Sequence, residues 1–288
     1  MSGILFPLVA VAGIALLLTF VGQRLSPVVA ATTAMLTLIT GATTTIPVIF
    51  HLSMSWLVSM PDVGPLVHNA LHRSGVHLLP QTWLVVVAPM FVAVAVVRTT
   101  YVVACHRRLR RGCGGEVHTI PDTEIFAYAL PGPGGDIVLS QGLKNALTRN
   151  ELDVVLAHER SHVVNRHDLW LLAGRICAAI NPLFVRSFSM LRCALERAAD
   201  ADAVRVCGDR RLVAQTIAKV ALGSSRRHHV LGAATFGVSA RVRELIDVDS
   251  GRDRWITLLS VTGVISGAAL CIFQWKRVID AVATMCGV

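Results

Sequence analysis

The stretch VVLAHERSHVVNRHD, Val154 to Asp168, gathers His158, Glu159, His162, Arg166, His167 and Asp168 within an otherwise apolar chain. Residues four apart share one face of a helix, so His158 and His162 direct two imidazoles at one point while Glu159 stands beside them. Two imidazoles at that spacing are metal ligands and the adjacent carboxylate is a base, the H-E-x-x-H pattern of zinc-dependent peptide hydrolysis. A catalytic zinc needs one more protein ligand and an open position for water. The next helix carries LERAADADAV, and Glu196 within it is the best candidate, which gives the gluzincin arrangement. Asp200, one turn on from Glu196, can accept the outer N–H of a liganding histidine. Asp168 competes for that orienting role, and the spacing does not rank the two. Glu159 is too short and wrongly angled to join its neighbours on a metal. Its expected work is to take a proton from the attacking water, whose pKa a bound zinc lowers to about 7, and to pass it to the leaving amine. On a continuous helix His167 falls off the shared face and is expected to cap or to meet solvent, while Arg166 is expected to tie the helix to an acid.

These residues need elements to hold them. TRNEL predicts a capping box, Thr148 as N-cap and Glu151 three residues on. Leu152, Val155, Leu156 and Val163 form the stripe that packs the helix down. Upstream, EIFAYALPGPGGDIVLSQGL (Glu124 to Leu143) holds two β-prone runs around a Pro/Gly turn and predicts a hairpin. Its second run, with Ile137, Val138 and Leu139, alternates weakly and is expected to form the edge strand beside the metal, where a substrate peptide adds by backbone pairing. Downstream, LWLLAGRICAAINPLF is interrupted by Arg175 and ended by Asn181-Pro182, so it reads as a buried or membrane-apposed helix continuing from the metal helix.

Of the 288 residues 53% are hydrophobic and 16% charged, with a mean hydropathy of +0.60. A soluble domain carries about 25% charge, so the deficit points to membrane spans. Spans are expected at 4–22, 28–50 and 82–105, giving a membrane region over 1–105, and a fourth at 256–275 before a short tail, 276–288. A cleaved signal peptide is the competing reading for the first span; it would start with basic residues, which MSG lacks, so a retained span with its N-terminus outside is expected. The run HRRLRRGC after the third span places 106–255 in the cytoplasm by the positive-inside rule. The net charge of +9 comes with no nucleic-acid recognition motif, so no direct nucleic-acid role is expected. Seven scattered cysteines without a C-x-x-C pair suggest neither a disulfide framework nor a thiolate site. His68, His72 and His77 lack an adjacent carboxylate and read as part of a short extracytoplasmic loop or interfacial helix.

AHERSHVVNRHD, then NPLF, then ERAADADAV resemble the membrane metallopeptidases of the BlaR/MecR sensor-transducer type, over roughly Phe126 to Leu245. The resemblance implies Zn2+ held by His158, His162 and Glu196, Glu159 as base and Asp200 in support. It implies a protein substrate, such as a cytoplasmic BlaI-type repressor, and a signalling role in the cell membrane. The hairpin also looks like the substrate strand of the HtpX and CAAX-protease group. Sensors of the first type continue into an extracellular penicillin-binding domain; this sequence ends at Val288 with no S-x-x-K in that place, so direct β-lactam sensing is not expected. The expected fold is an α-helical integral membrane protein of about four transmembrane helices with a cytoplasmic, mainly α-helical, zincin-type (gluzincin, α+β) metalloprotease domain. The alternatives are an HtpX-like quality-control protease and a noncatalytic membrane transducer, against which the intact H-E-x-x-H argues. Membrane lipid is an expected contact, and oligomeric state is not legible.

Overall fold

The computed structural model describes residues 2–58, 60–62, 64–65, 82–109, 115–132, 134–224, 232–247 and 254–286. The segment with His68, His72 and His77 lies outside them. Four described helices are long and apolar enough to cross a membrane, through Leu5–Arg24, Pro27–His51, Pro89–Leu109 and Arg254–Asp280. They belong to α1 (Ser2–Val21), α2 (Pro27–Val58), α3 (Thr82–Leu109) and α10 (Arg254–Cys286). Such helices suit membrane association. The last one does not stop at Trp275: Val278, Ile279 and Val282 resume the apolar spacing past Lys276 and Arg277, so most of the expected tail is helix.

Between α3 and α10 come β1 (Val117–Ile120), β2 (Ala127–Ala129), β3 (Ile137–Ser140) and the short α4 (Gln141–Ala146). Then follow α5 (Arg149–Val164), α6 (His167–Ile180), α7 (Val185–Cys207), α8 (Arg210–Ser224) and α9 (Gly232–Ile246). The metal helix α5 starts at the expected capping box: the Thr148 side chain accepts from the Glu151 N–H, and the Glu151 carboxylate accepts from the Thr148 N–H at 2.8 Å. Its Val154 and Ala157 pack on Ala203, Val213, Ala214 and Leu245, and its Val155 on Ile137, Leu139 and Leu143. One helix is thereby fastened to α7, α8 and α9 on one side and to the sheet on the other.

The hairpin forms, but the expected edge strand is the central one. The sheet order is β1-β3-β2, with β3 parallel to β1 and antiparallel to β2. Ile137, Val138 and Leu139 are all buried, at most 4% exposed, so they have no free edge to offer a substrate. A short unbroken apolar run is what a strand covered on both faces needs, and weak alternation was the sign of it. The free edge belongs to β2. Leu130 N–H bonds to Asp136 C=O and Ser140 N–H to Phe126 C=O, so Phe126, Tyr128 and Leu130 face β3 while the N–H and C=O groups of Ala127 and Ala129 point outward.

The helix after the metal helix is a separate one. Arg166 adopts a left-handed conformation (φ 52°), which ends α5 and starts α6 in a new direction. From there α6 and α7 form a hairpin that packs into the apolar helices. Ala178, Phe184, Leu191, Ala194 and Leu195 share one core with Val11, Ala15, Ala31, Ala34 and Leu38 of α1 and α2. Asn181 in the turn is buried; its amide donates to Thr45 Oγ1 of α2 at 2.9 Å, and its side-chain oxygen accepts from the Leu183 N–H. The approach is close enough that a Cβ at Gly41 would meet the Phe184 ring at 2.4 Å. Thr45 lies well inside the apolar window Pro27–His51, so the α6–α7 turn reaches far along α2.

Candidate metal centre and active site

His158 and His162, one turn apart on α5, bring their Nε2 atoms within 3.2 Å of each other. Glu196 of α7 faces both, with its Oε2 3.5 Å from His158 Nε2 and its Oε1 3.7 Å from His162 Nε2. A tetrahedral zinc with bonds of about 2.0–2.1 Å separates its ligand atoms by about 3.3–3.4 Å. Two imidazole nitrogens and one carboxylate at these separations fit that ion as a donor set. Among the described residues this trio is the group of histidine and acid side chains that meets the spacing of a metal site.

Each histidine is held from behind. Asp200 Oδ1 lies 3.0 Å from His158 Nδ1, so the orienting acid is Asp200 and not Asp168. His162 is held instead by His167, whose Nδ1 lies 2.8 Å from His162 Nδ1. With Nε2 turned to a metal, His162 carries its proton on Nδ1 and donates it to His167. The expectation of an exposed His167 fails, since this ring is only 4% exposed. It rested on a continuous helix, whereas the left-handed Arg166 turns the chain so that the next residue folds back over the preceding turn. Arg166 does meet an acid, Asp168 in the first turn of α6, at 3.4 Å between Nε and Oδ1. Asp168 Oδ2 is buried without a hydrogen-bond partner among the described residues.

Arg241 completes the cluster. From α9 its guanidinium grips both oxygens of Asp200, at 2.6 and 2.7 Å, and its Nη1 lies 3.1 Å from Glu196 Oε2. No spacing in the sequence connects SARVREL to the metal helix, and only the packing of α9 on α5 and α8 brings it in. The neighbouring Arg197 makes a second fork to Glu244 of α9 and donates to the Leu25 carbonyl at 2.7 Å and to the Gly22 carbonyl at 3.3 Å. The residue next to Glu196 thus ties α9 to the corner between α1 and α2.

Charge is arranged to match. Burial works against a charged His158, yet the Asp200 and Glu196 carboxylates beside it outweigh burial and push its pKa up to about 10. Burial pulls His162 down to about 4. Desolvation works against a charged Glu196 as well, but His158 and Arg241 hold its carboxyl far below the usual range. Burial is also the main cause that raises the Glu159 carboxyl, against the pull of His158 and a hydrogen bond from the Ala129 N–H. A carboxyl raised in this way is suited to taking up a proton and giving it back.

Glu159 lies in a cleft of about 440 Å³ together with the metal trio. It is lined by β2 and the loop to Gly132 and by residues of α3 and α6, among them the apolar Val102, Leu109, Leu171 and Leu172. Of the residues singled out from sequence, His158, Glu159, His162, Glu196 and Asp168 line this cleft, and Asp200 stands behind His158. Ile137, Val138 and Leu139 do not line the cleft, and the strand that does, β2, was passed over.

No curated protein and no solved structure matches the chain. Residues 115–246 match the family model described as Peptidase family M48, which bears out the membrane-metallopeptidase reading without singling out the BlaR/MecR type. That stretch runs from the start of the sheet to the end of α9 and contains every residue of the cluster from His158 to Arg241, so the similarity to M48 metallopeptidases covers the whole candidate site.

Proposed function

We propose that the protein is a zinc-dependent membrane endopeptidase that hydrolyses peptide bonds of a cytoplasmic regulatory protein, such as a transcriptional repressor. The observation that carries the peptidase reading is the convergence of His158, His162 and Glu196 beside Glu159, in a cleft that also exposes the outward edge of β2. Zinc, when bound by those three residues, supplies Lewis acidity toward a carbonyl and lowers the pKa of water. The chain's own groups do the rest. Ala127 presents an outward N–H and C=O, and Ala129 an outward C=O, that can pair with an extended peptide. Glu159 accepts the proton of the attacking water and returns it to the departing amine. Asp200, Arg241 and His167 hold the ligating side chains in place.

The regulatory substrate rests on the resemblance to sensor-transducer peptidases. One feature favours the second reading, membrane-protein quality control: the cleft shares its apolar wall with α3, so a segment leaving the membrane along that helix meets Glu159 directly. Purified protein is expected to hold about one zinc per chain and to cleave unfolded protein. Glu159→Gln keeps the metal and lowers kcat by roughly 10²–10⁴-fold. Equal cleavage by wild type and Glu159→Gln overturns the assignment. Comparing the proteins that accumulate uncut in a Glu159→Gln strain separates soluble regulators from membrane proteins.

A further inference from the structure

Arg175 stands in the middle of LWLLAGRICAAI, on a helix whose far end is buried against α2. A charge there is costly unless it faces a cavity or a partner. It is exposed, and it lines the same cleft as Glu159 and Glu196. Its guanidinium carbon lies 5.9 Å from the centre of the Phe188 ring, and it has no ion-pair partner among the described residues. The acids that share the cleft are engaged elsewhere: Glu196 by Arg241, Asp168 by Arg166, and Glu159 by the Ala129 N–H.

The position of this charge along the cleft follows from two helices. Asp168 and Arg175 are seven residues apart on α6, an axial rise of about 10 Å. On α7, Phe188 under the guanidinium is eight residues from Glu196, a rise of about 12 Å. The α7 route puts Phe188 about two helical turns from Glu196 of the metal trio, and the α6 route puts Arg175 about two turns from Asp168, which lines the same cleft. An extended peptide advances about 3.3 Å per residue, so three or four residues cover that distance.

We propose that Arg175 is a specificity-determining residue that receives an acidic side chain of the substrate three or four positions from the scissile bond. This inference rests on the peptidase reading above. The fork of an arginine suits a carboxylate, and the Phe188 ring, 5.9 Å from the guanidinium carbon, offers it an aromatic face that leaves the fork without a competing acid. A lipid phosphate is the less suited occupant, because the charge lies in the same cavity as the catalytic base.

The test is cleavage of a proteome-derived peptide mixture by the full-length protein in detergent, read by mass spectrometry for wild type, Arg175→Gln, Arg175→Glu and Glu159→Gln. Wild type is expected to favour Asp or Glu at one position three or four residues from the cut, by roughly tenfold in kcat/KM. Arg175→Gln abolishes that preference, and Arg175→Glu turns it toward Lys and Arg at the same position. Zinc content equal to wild type shows that the variants keep their site. An acidic preference that survives in Arg175→Glu, or Glu159-dependent cleavage by wild type without any such preference, overturns the role of Arg175 alone. Cleavage that does not depend on Glu159 overturns the peptidase reading and this inference with it.

Discussion

In the metal-free protein His158 and His162 hold opposite protonation states near neutral pH, although they are one helical turn apart. Asp200 and Glu196 keep the first protonated, with a pKa near 10, while burial keeps the second neutral, with a pKa near 4. A metal binds only neutral imidazole, so zinc uptake must expel the proton of His158 and takes none from His162. About one proton per zinc is expected at pH 7–8, and titration calorimetry in buffers of different ionisation enthalpy measures it. The sign is fixed: uptake strengthens as pH rises toward the pKa of His158. In Asp200→Asn one of the two carboxylates that support the charge is gone, and proton release falls below the wild-type value. Wild type releasing no proton, or two, contradicts this account of the two rings. Arg241 belongs to the same balance, since its grip on both oxygens of Asp200 offsets the cost of burying that acid.

At the level of elements, β2 is the strand to perturb. Its Ala127 N–H and C=O point away from β3, so proline there removes an outward donor and fills the edge with its ring while sparing the ladder. Ala127→Pro is expected to keep its zinc and its melting temperature within a few degrees, yet to lose about tenfold or more in kcat/KM. Val138→Pro acts differently. Val138 pairs with Tyr128 in the middle of the central strand, and losing its N–H breaks the ladder and unfolds the hairpin. Unfolding by Ala127→Pro together with tolerance of Val138→Pro would restore β3 as the edge. The capping box of α5 was legible because both of its partners lie within four residues; such a cap contributes about 1 kcal/mol. The order of the strands was not, because pairing of β1 with β3 joins segments 20 residues apart and no local pattern reports it.

Across the whole molecule, the peptidase domain and the apolar helices are not separable bodies. The α6–α7 hairpin shares its core with α1 and α2, and Arg197 fastens α9 to the turn between them. A shift at the α1–α2 corner therefore bears on the helix that holds Arg241. Orientation is expected to follow the basic end of α3, where His106, Arg107 and Arg108 close the helix. Reporter fusions at Gly115 and at Ser224 are both expected on the cytoplasmic side. An external Gly115 places the cleft on the other face and removes cytoplasmic regulators from the list of substrates.

What the amino-acid order determined alone was local. The i, i+4 histidines with Glu159 between them, the Thr148/Glu151 cap, the Pro/Gly turn and the long apolar runs each depend on residues within one or two turns of each other, where helix and strand periodicity dictate geometry. Glu196 and Asp200 were legible as a pair for the same reason. Only the tertiary structure decided which partner holds which ring. His167 reaches His162 because a single left-handed residue breaks the helix, and Arg241 reaches Asp200 because α9 packs across α5. It also decided that β2 and not β3 is the free edge, and that Arg175 opens into the catalytic cleft. Those are contacts between distant segments, set by how apolar faces pack, and periodicity within one segment carries no record of them.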